Sequence, residues 1–178
     1  MSDPMLLRQR LKDCPAGQAG WREFERVCTD TLEYLFVPPL IRARRQSSNR
    51  TRTKRRDAIL ANRSTDYGTN WGRLYREHRV RMIPFEFKNC DLEDIGSDDV
   101  EQVVGYMEEH FGELAILCCN KGPCSTAFDE QRDQFIKKKR LILILTPTEL
   151  LEMISIRERG DDPSNMIMDL IEDVYCGC

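Results

Sequence analysis

The amino-acid sequence predicts one α/β domain in which a central mixed β-sheet carries α-helices on both faces. Its 178 residues are enough for a single domain with a sizeable core, and 40% apolar against 32% charged residues is the balance of a globular chain. Short apolar runs with the length of buried strands alternate with amphipathic runs at helical spacing. That alternation is typical of α/β architectures.

The N-terminal part of the chain predicts a polar lead-in over residues 1–19, with a short helix at Met5–Lys12, and then a first long helix. Trp21–Phe36 has apolar side chains at helical spacing, and Val37-Pro38-Pro39 ends the helix. Glu25 falls on the edge of the apolar stripe, where a carboxylate must pair, bind a metal or shift its pKa. The stripe consists of Trp21, Phe24, Cys28, Thr31, Leu32, Leu35 and Phe36.

The next segment predicts two strands rich in basic residues. A strand starts at Leu40–Arg44, Gln46–Asn49 forms a loop, and Thr51–Ala61 is a second strand that passes through Asp57. Residues 41–56 include eight basic side chains and no acidic one. Such side chains are either simply solvated or, beside a phosphodiesterase centre, a surface that follows phosphates, and both alternatives stay open. The candidate nucleic-acid-binding residues are Arg52, Lys54, Arg55 and Arg56.

The central strand is predicted at Val80–Lys88. Successive side chains of a strand point to opposite faces, so Glu86 and Lys88 share one face while the phenylalanines at 85 and 87 enter the core. Pro84 lacks the N–H that a strand residue donates, which predicts a bulge or a strand end just before Glu86.

The second half of the chain predicts one more helix next to the central strand and then alternating strands and helices. A helix over Asp98–Phe111 follows an acidic loop and is capped by Ser97 or Asp98, with Glu101 three residues after the latter. Gln102 and Tyr106 are four residues apart, so they stack on a face separate from the apolar one. The other predicted elements are a loop at Asn62–Asn70, helices at Trp71–His78, Ser125–Lys138, Thr146–Arg157 and Pro163–Val174, and strands at Glu113–Cys119 and Arg140–Leu145.

No internal repeat divides the chain, so residues 20–178 are predicted to form one domain with a core at 20–145 and C-terminal helices at 146–178. No apolar run approaches the roughly 20 residues needed to cross a membrane, and the start lacks the features of a secretory signal. We therefore expect a cytoplasmic protein without membrane contact. Eight scattered cysteines and two histidines match a zinc site poorly, which favours free thiols.

A carboxylate from each of two strands, with a lysine beside them, has the composition of a metal-dependent phosphodiesterase centre. Mg²⁺ prefers oxygen ligands and is often held by one or two carboxylates plus the substrate phosphate. Asp57 and Glu86 can supply those carboxylates, and the backbone carbonyl of Phe87 a further ligand. Lys88 can orient or deprotonate the attacking water, or stabilise charge on the phosphate. Two acids this close would repel each other without a metal.

Taken in order along the chain, Glu25, Asp57, Glu86-Phe87-Lys88 and Gln102-x3-Tyr106 resemble the PD-(D/E)XK nuclease superfamily, and in particular its Mrr-like restriction endonuclease branch. The resemblance covers roughly Gly20–Asn120. Arg56 departs from it, because the family has a proline before the aspartate. The resemblance implies a restriction-endonuclease-like core, a Mg²⁺ cofactor that Mn²⁺ can replace, and DNA as the substrate.

The same resemblance implies a role for each site residue. Asp57 and Glu86 would bind the metal and Lys88 would be the catalytic lysine, while Gln102 and Tyr106 would contact water at the metal or the DNA backbone. Glu25 would support the metal from the first helix. The ordinary alternatives are an exposed strand pair for Glu86 and Lys88, a counterion of Arg55 or Arg56 for Asp57, a helix surface for Gln102 and Tyr106, and a salt bridge for Glu25.

These observations lead us to expect a Mg²⁺-dependent endonuclease that cuts double-stranded DNA with low intrinsic specificity, because no helix-turn-helix or zinc finger is evident. Such an enzyme needs restraint from a partner subunit, a sensor protein or homo-oligomerisation, as in an effector of prokaryotic defence against phage or plasmid DNA. Two alternatives remain: a catalytically silent nuclease-like scaffold that binds nucleic acid or a partner subunit, and an RNase with the same centre.

Overall fold

The structure is a computed structural model that describes the backbone of residues 3–48 and 55–177, and the side chains of residues 3–42 and 57–177. The described strands are β1 (Ile41–Ser48), β2 (Arg55–Ala61), β3 (Met82–Lys88), β4 (Leu114–Cys119) and β5 (Leu141–Leu145). The described α-helices are α1 (Pro4–Asp13), α2 (Trp21–Phe36), α3 (Asn70–Glu77), α4 (Ser97–Tyr106), α5 (Ser125–Lys138), α6 (Pro147–Glu158) and α7 (Ser164–Cys176).

The strands form one sheet in the order β1-β2-β3-β4-β5. β2 is antiparallel to both β1 and β3, whereas β3, β4 and β5 run parallel to one another. A parallel pair needs a crossover connection, and α4 and α5 supply the two crossovers from β3 to β4 and from β4 to β5. The mixed sheet predicted from the sequence is therefore confirmed.

The sheet separates two apolar cores, and helices cover both faces as predicted. On one face, Val100 and Val103 of α4 and Ala127 of α5 pack on a core that includes Ala115 and Leu117 of β4. The opposite face carries the larger core, to which α1, α2, α3, α6 and α7 all contribute buried side chains. Examples from these helices are Leu7, Phe24, Leu32, Trp71, Met153 and Ile167.

The N-terminal helix α1 belongs to the larger core. Leu7 and Leu11 are buried, and Arg8 donates from Nη2 to Oγ of Ser155 in α6 at 2.9 Å. Arg10 pairs with Glu23 and Asp30 of α2 at 2.7 and 2.9 Å. Within the predicted lead-in, residues 4–13 thus pack against helices of the predicted domain.

Two predictions about the first two elements need correction. Trp21 is 39% exposed, so the apolar stripe of α2 begins in effect at Phe24. The prediction of a loop at Gln46–Asn49 is wrong for residues 46–48. These residues belong to β1, which continues to Ser48 opposite Arg55 of β2. Backbone pairing satisfies the N–H and C=O groups of this polar segment, although its side chains show no strand pattern.

Pro84 produces no bulge in β3, contrary to the prediction. It lies opposite Ile59 in an unshifted register with β2, and the pairing of β3 with β4 starts only at Phe85. The missing N–H therefore interrupts neither ladder. The irregularity lies instead in β1, where the register with β2 shifts between Ile41 and Arg44.

The helix predicted at Asp98–Phe111 is shorter than expected. α4 ends at Tyr106, Met107 is extended with φ −74° and ψ 119°, and Glu109–Phe111 forms a short 3₁₀ turn. Nη1 of Arg140 donates to the carbonyl oxygens of Val104 and Met107 at 2.9 and 3.3 Å and so binds the end of the helix.

The N-terminal cap of α4 also differs from the prediction. Gly96 is the cap residue rather than Ser97 or Asp98. Its N–H donates to Oδ2 of Asp99 at 3.1 Å, so Asp99 takes the reciprocal position that the sequence assigned to Glu101.

Candidate active site

The candidate catalytic residues meet where β2 and β3 part. Backbone pairing between these strands ends at Ala58 and Phe85. Asp57 and Glu86 follow on the two strands and lie on the same face of the sheet. Oδ2 of Asp57 accepts a hydrogen bond from the backbone N–H of Phe87 at 2.9 Å. The carboxylate oxygen thus replaces the backbone carbonyl that would accept this hydrogen bond if the two strands stayed paired. This contact fixes one carboxylate beside the other.

Glu86 is buried, with only 7% of its surface exposed. Burial, and next the negative charge of Asp57, raises the pKa of Glu86 to about 8, although the nearby Lys88 acts in the opposite direction. Oε1 of Glu86 accepts a hydrogen bond from Gln102 at 3.2 Å, whereas Oε2 is buried and has no hydrogen-bond partner among the described residues. This environment excludes the alternative of an exposed strand pair.

Lys88 lies among three polar side chains at the same edge. Its Nζ donates to Oε1 of Gln102 at 2.5 Å, lies 3.3 Å from Oδ1 of Asp99 and is 4.0 Å from Oε1 of Glu86. The ammonium group is therefore held between the central strand and α4.

Gln102 joins the lysine, the glutamate and the tyrosine into one network. Its amide oxygen accepts from Lys88, and its amide nitrogen donates to Glu86 and, at 2.6 Å, to the hydroxyl oxygen of Tyr106. One turn of α4 separates Gln102 from Tyr106, which is why both side chains reach the same point. The predicted helix face thus lies against the predicted strand face.

Asp99 is a site residue that sequence reasoning missed. One carboxylate oxygen contacts Lys88 and the other accepts the N–H of Gly96, so this side chain links the cap of α4 to the lysine. The available signal was spacing: Asp99 precedes Gln102 by three residues, which places both on one side of the helix.

The residues at this edge fit a hard divalent cation. Glu86 offers a buried carboxylate oxygen without a donor, and the adjacent Asp57 adds a second negative charge that a cation would compensate. The N–H and C=O of one strand residue point toward the same neighbouring strand, so the carbonyl of Phe87 faces the strand of Asp57 as its N–H does. Within the described residues, no three or more Asp, Glu, His or Cys side chains form a metal-binding group. Two carboxylates and one backbone carbonyl are the oxygen atoms available to a cation at this edge among the described residues.

Glu25 is half-buried on α2, and its support of a metal stays a prediction. Its charge makes the last-ranked contribution to the raised pKa of Glu86, and it does not join Asp57 and Glu86 in a group of three ligands. α2 packs on the larger core, on the opposite face of the sheet from α4. The negative charge of Glu25 nevertheless reaches the centre, because it contributes to the raised pKa of Glu86.

The proposed phosphate-binding arginines and lysine fall largely outside what can be described. Arg52 and Lys54 lie outside the described residues. The backbones of Arg55 and Arg56 form the start of β2, next to Asp57 on the chain. The position of Arg56 in β2 brings it opposite Ser47 of β1.

The two histidines form contacts outside this network. His78 contacts Oε2 of Glu113 at 3.1 Å through Nδ1 and the hydroxyl of Tyr175 at 2.8 Å through Nε2, and so links α7 to the body of the fold. His110 has an exposed side chain. The described cysteines are free thiols, of which Cys28, Cys118 and Cys119 are buried. No helix among the described residues is both long enough and apolar enough to cross a membrane.

The chain was compared with family models, with curated proteins and with solved structures. No protein-family model matches the sequence. A transposon gamma-delta protein of 80.3 kDa from Escherichia coli (strain K12) is 29% identical over 108 residues, which is 60% of this chain and 15% of that protein.

Among solved structures, the DNA modification-dependent restriction endonuclease AspBHI superimposes with a TM-score of 0.52 at 15% sequence identity. The match covers 98% of this chain and 39% of AspBHI. This chain thus spans well under half the length of either relative. The assignment to the Mrr-like branch stays a prediction. Similarity over nearly the whole chain shows that the protein has a restriction-endonuclease-like fold: a mixed sheet with helices on both faces.

Proposed function

We propose that this chain is a Mg²⁺-dependent endonuclease that hydrolyses phosphodiester bonds of double-stranded DNA. The observation that carries the proposal is the carboxylate group of Glu86 beside Asp57, of which one oxygen is buried and has no hydrogen-bond partner among the described residues. The ammonium group of Lys88 lies 4.0 Å from the other oxygen of Glu86 and is hydrogen-bonded to Gln102. Burying one carboxylate beside a second one disfavours folding unless a cation compensates them. An arrangement that costs stability is expected where function requires it.

Asp57 and Glu86 would hold the metal together with the carbonyl of Phe87, and Mn²⁺ would substitute for Mg²⁺ because both accept oxygen ligands. The bound ion would supply charge neutralisation on the phosphate and activation of water. Lys88 would stabilise the negative charge that develops on the phosphate oxygens. Gln102 and Asp99 fix the position of the lysine, and Gln102 also orients Oε1 of Glu86.

Tyr106 and Glu25 have supporting roles in this proposal. The hydroxyl of Tyr106 holds the amide group of Gln102 and faces the polar edge of the site, where it can contact the DNA backbone. Glu25 adds negative potential that favours cation binding, without coordinating the ion. Arg52, Lys54, Arg55 and Arg56 precede Asp57 on the chain and would bind the phosphates flanking the cleaved bond.

We further propose that the activity is restrained by a partner subunit, a sensor domain or oligomerisation, and that it serves defence against invading DNA. Both relatives are longer than this chain, which supports control by elements outside it. AspBHI is a DNA modification-dependent restriction endonuclease and the other relative is a transposon protein, and this association with restriction and with transposons supports the proposed role.

A supercoiled plasmid provides the direct experiment. Wild-type protein is expected to nick and linearise the plasmid in Mg²⁺ or Mn²⁺ and not in EDTA, whereas Lys88→Ala and Glu86→Gln reduce the rate by at least about 100-fold. Lys138→Ala is the matched control, because Lys138 is an exposed lysine on α5 with no contact to the site. Its rate should equal that of wild type.

The same experiment separates the alternatives. Equal cleavage by wild type and Lys88→Ala would identify a contaminating nuclease and contradict the proposal. Retained, salt-sensitive DNA binding without cleavage under any metal would indicate a silent scaffold. Offering a labelled RNA beside the DNA, under the same conditions, shows whether the centre prefers ribonucleotides.

A further inference from the structure

A cavity of about 440 Å³ lies on the same face of the sheet as Asp57 and Glu86, toward the other end of β2 and β3. Along β2, Ala58 and Leu60 point into the larger core, so Ile59 and Ala61 point to the other face of the sheet, which is also the face of Asp57. Ala61 pairs with Ile41 of β1 on one side and with Met82 of β3 on the other. These apolar side chains form a floor across three neighbouring strands.

Two aromatic side chains line this cavity. Tyr75 of α3 and Phe111 of the 3₁₀ turn after α4 contribute to its walls. The guanidinium carbon of Arg81 lies 5.2 Å from the centre of the Tyr75 ring, which is within the range of cation–π contact. The wall therefore presents flat surfaces above an apolar floor.

The charged side chains that line the cavity, among the residues whose side chains are described, are all positive: Arg42, Arg63 and Arg81. Among the described residues, neither Arg63 nor Arg81 forms an ion pair, and the pair of Arg42 with Glu33 at 3.5 Å involves an arginine side chain that is 82% exposed. Three such guanidinium groups in a protein of net charge −3 create a local potential that attracts anions.

We propose that this cavity binds one nucleotide, with the base on the apolar floor against Tyr75 and the phosphate on Arg63 and Arg81. Nucleobases stack on aromatic rings and on guanidinium planes, and arginine is suited to phosphate oxygens because of its planar array of donors. The volume lies within the ordinary range of small-molecule sites. An inorganic anion would make no contact with the apolar floor, and an apolar ligand would not form hydrogen bonds with the arginines.

The position of the cavity favours a nucleotide of the strand that is cut. Asp57 and Ala61 are four positions apart along β2, or about 13 Å at roughly 3.3 Å per residue. A DNA strand carries one charge per about 3.4 Å of helix axis, so this interval corresponds to only a few nucleotides. Assigning the bound nucleotide to the substrate strand rests on the proposed function. Binding of a nucleotide by the cavity does not.

The experiment measures binding in EDTA, where no cleavage interferes. A fluorescein-labelled single-stranded oligonucleotide is titrated by anisotropy, and dAMP is titrated by calorimetry. The double variant Arg63→Ala/Arg81→Ala is expected to weaken binding of both ligands by at least about tenfold, because charge-assisted hydrogen bonds to phosphate are lost. The control Arg22→Ala/Arg159→Ala removes two exposed arginines that do not line the cavity and should stay within twofold of wild type.

A second variant tests the apolar floor. Ala61→Phe fills the space where the base would lie and is expected to weaken dAMP binding about tenfold while all three arginines remain. Circular dichroism and the melting temperature establish that each variant is folded. If Ala61→Phe does not fold, the arginine double variant still tests the proposal, because both of its substitutions are at exposed side chains.

Each outcome has a definite meaning. Unchanged affinity of the arginine variant for both ligands would overturn the nucleotide site. Weaker dAMP binding with unchanged oligonucleotide binding would support the site and overturn its place on the substrate strand. Cleavage is assayed separately in Mg²⁺, so wild-type protein that binds both ligands through the cavity but cuts no nucleic acid would contradict the proposed function alone.

Discussion

At the scale of single residues, the raised pKa of Glu86 makes the stability of the folded protein depend on pH. Its pKa in the folded protein is about 8 against an ordinary 4.5. Between these two pH values the folded chain holds a proton that the unfolded chain releases. The free energy of unfolding therefore falls as pH rises through this window, and the stabilisation present below pH 4.5 is lost above about pH 8.

Replacing Glu86 by glutamine should remove this pH dependence. In EDTA, Glu86→Gln is expected to match wild type at pH 4.5 and to be more stable by about 1–3 kcal/mol at pH 8.5, because no buried carboxylate has to ionise. Urea unfolding at both pH values measures the difference. Glu101→Gln, an exposed neighbour of the site on α4, serves as the control. The same pH dependence in wild type and Glu86→Gln would mean that Glu86 ionises normally.

Asp99 is expected to act on the reaction through Lys88. Asp99→Asn keeps an oxygen for the N–H of Gly96 but loses the charge 3.3 Å from Nζ, so we expect kcat to fall about fivefold, equivalent to about 1 kcal/mol. The Asp99 charge also raises the pKa of Glu86, so in the variant the pH-dependent loss of stability should move to lower pH. A purely structural role would not produce that shift.

The control for this substitution is Asp98→Asn, on the same turn of α4 but with an exposed side chain. It should leave both kcat and the pH dependence unchanged. Equal losses in the two variants would indicate a general effect of charge on DNA binding rather than a contact with the lysine.

At the scale of secondary-structure elements, the end of α4 determines how the polar face meets β3. Arg140, which directly precedes β5, donates to the carbonyl oxygens of Val104 and Met107. Val104 belongs to the last turn of α4 and Met107 is its C-terminal cap residue. Carbonyl groups at a helix end have fewer intrahelical donors than those in the helix interior. The arginine thus joins the helix that carries Gln102 and Tyr106 to the far strand of the sheet.

We expect Arg140→Met to lower the free energy of unfolding by about 1.5–3 kcal/mol, because two carbonyl groups lose a charged donor while the apolar stem is kept. Chemical denaturation gives this value, and Lys138→Met provides the matched control at an exposed lysine. The variant should also cut DNA more slowly, since the last turn of α4 positions Tyr106. A variant as stable as Lys138→Met would show that the arginine contacts contribute nothing.

Much of the fold could be predicted because side-chain periodicity reports burial. The alternation in the central strand placed Phe85 in the core and Glu86 on the opposite face, and the spacing of Gln102 and Tyr106 placed both on one side of α4. The sheet and its flanking helices follow from the same patterns. These features depend on neighbours along the chain, which a sequence displays directly.

The features that escaped prediction depend on contacts between distant residues. α4 ends at Tyr106 because Arg140, more than thirty residues away, binds its carbonyls, and Gly96 caps it because Asp99 reaches back. The parting of β2 and β3 at Asp57 results from a side-chain hydrogen bond to Phe87. Pro84 was misjudged because the sequence does not show where pairing with β4 begins.

At the scale of the whole molecule, the two faces of the sheet have different tasks. The face of α4 and α5 carries Asp57, Glu86 and Lys88 at one end and the arginine-lined cavity at the other. The opposite face holds the larger core and the five remaining helices. Substitutions of the buried residues of that larger core should therefore change stability and leave the chemistry of the folded protein unaffected.

The N-terminal helix α1 provides the strongest test of this division, because the sequence separated residues 1–19 from the domain. Leu7 is 1% exposed in the larger core, so Leu7→Ala is expected to lower the free energy of unfolding by about 2–4 kcal/mol. Met5 on the same helix is 75% exposed, and Met5→Ala should change it by less than about 0.5 kcal/mol. Urea unfolding followed by both far-UV circular dichroism and tryptophan fluorescence should show one coincident transition for Leu7→Ala, while the DNA-cleavage rate per folded molecule stays at the wild-type value. Equal stabilities of the two variants would instead mean that α1 lies outside the cooperative unit and only rests on it.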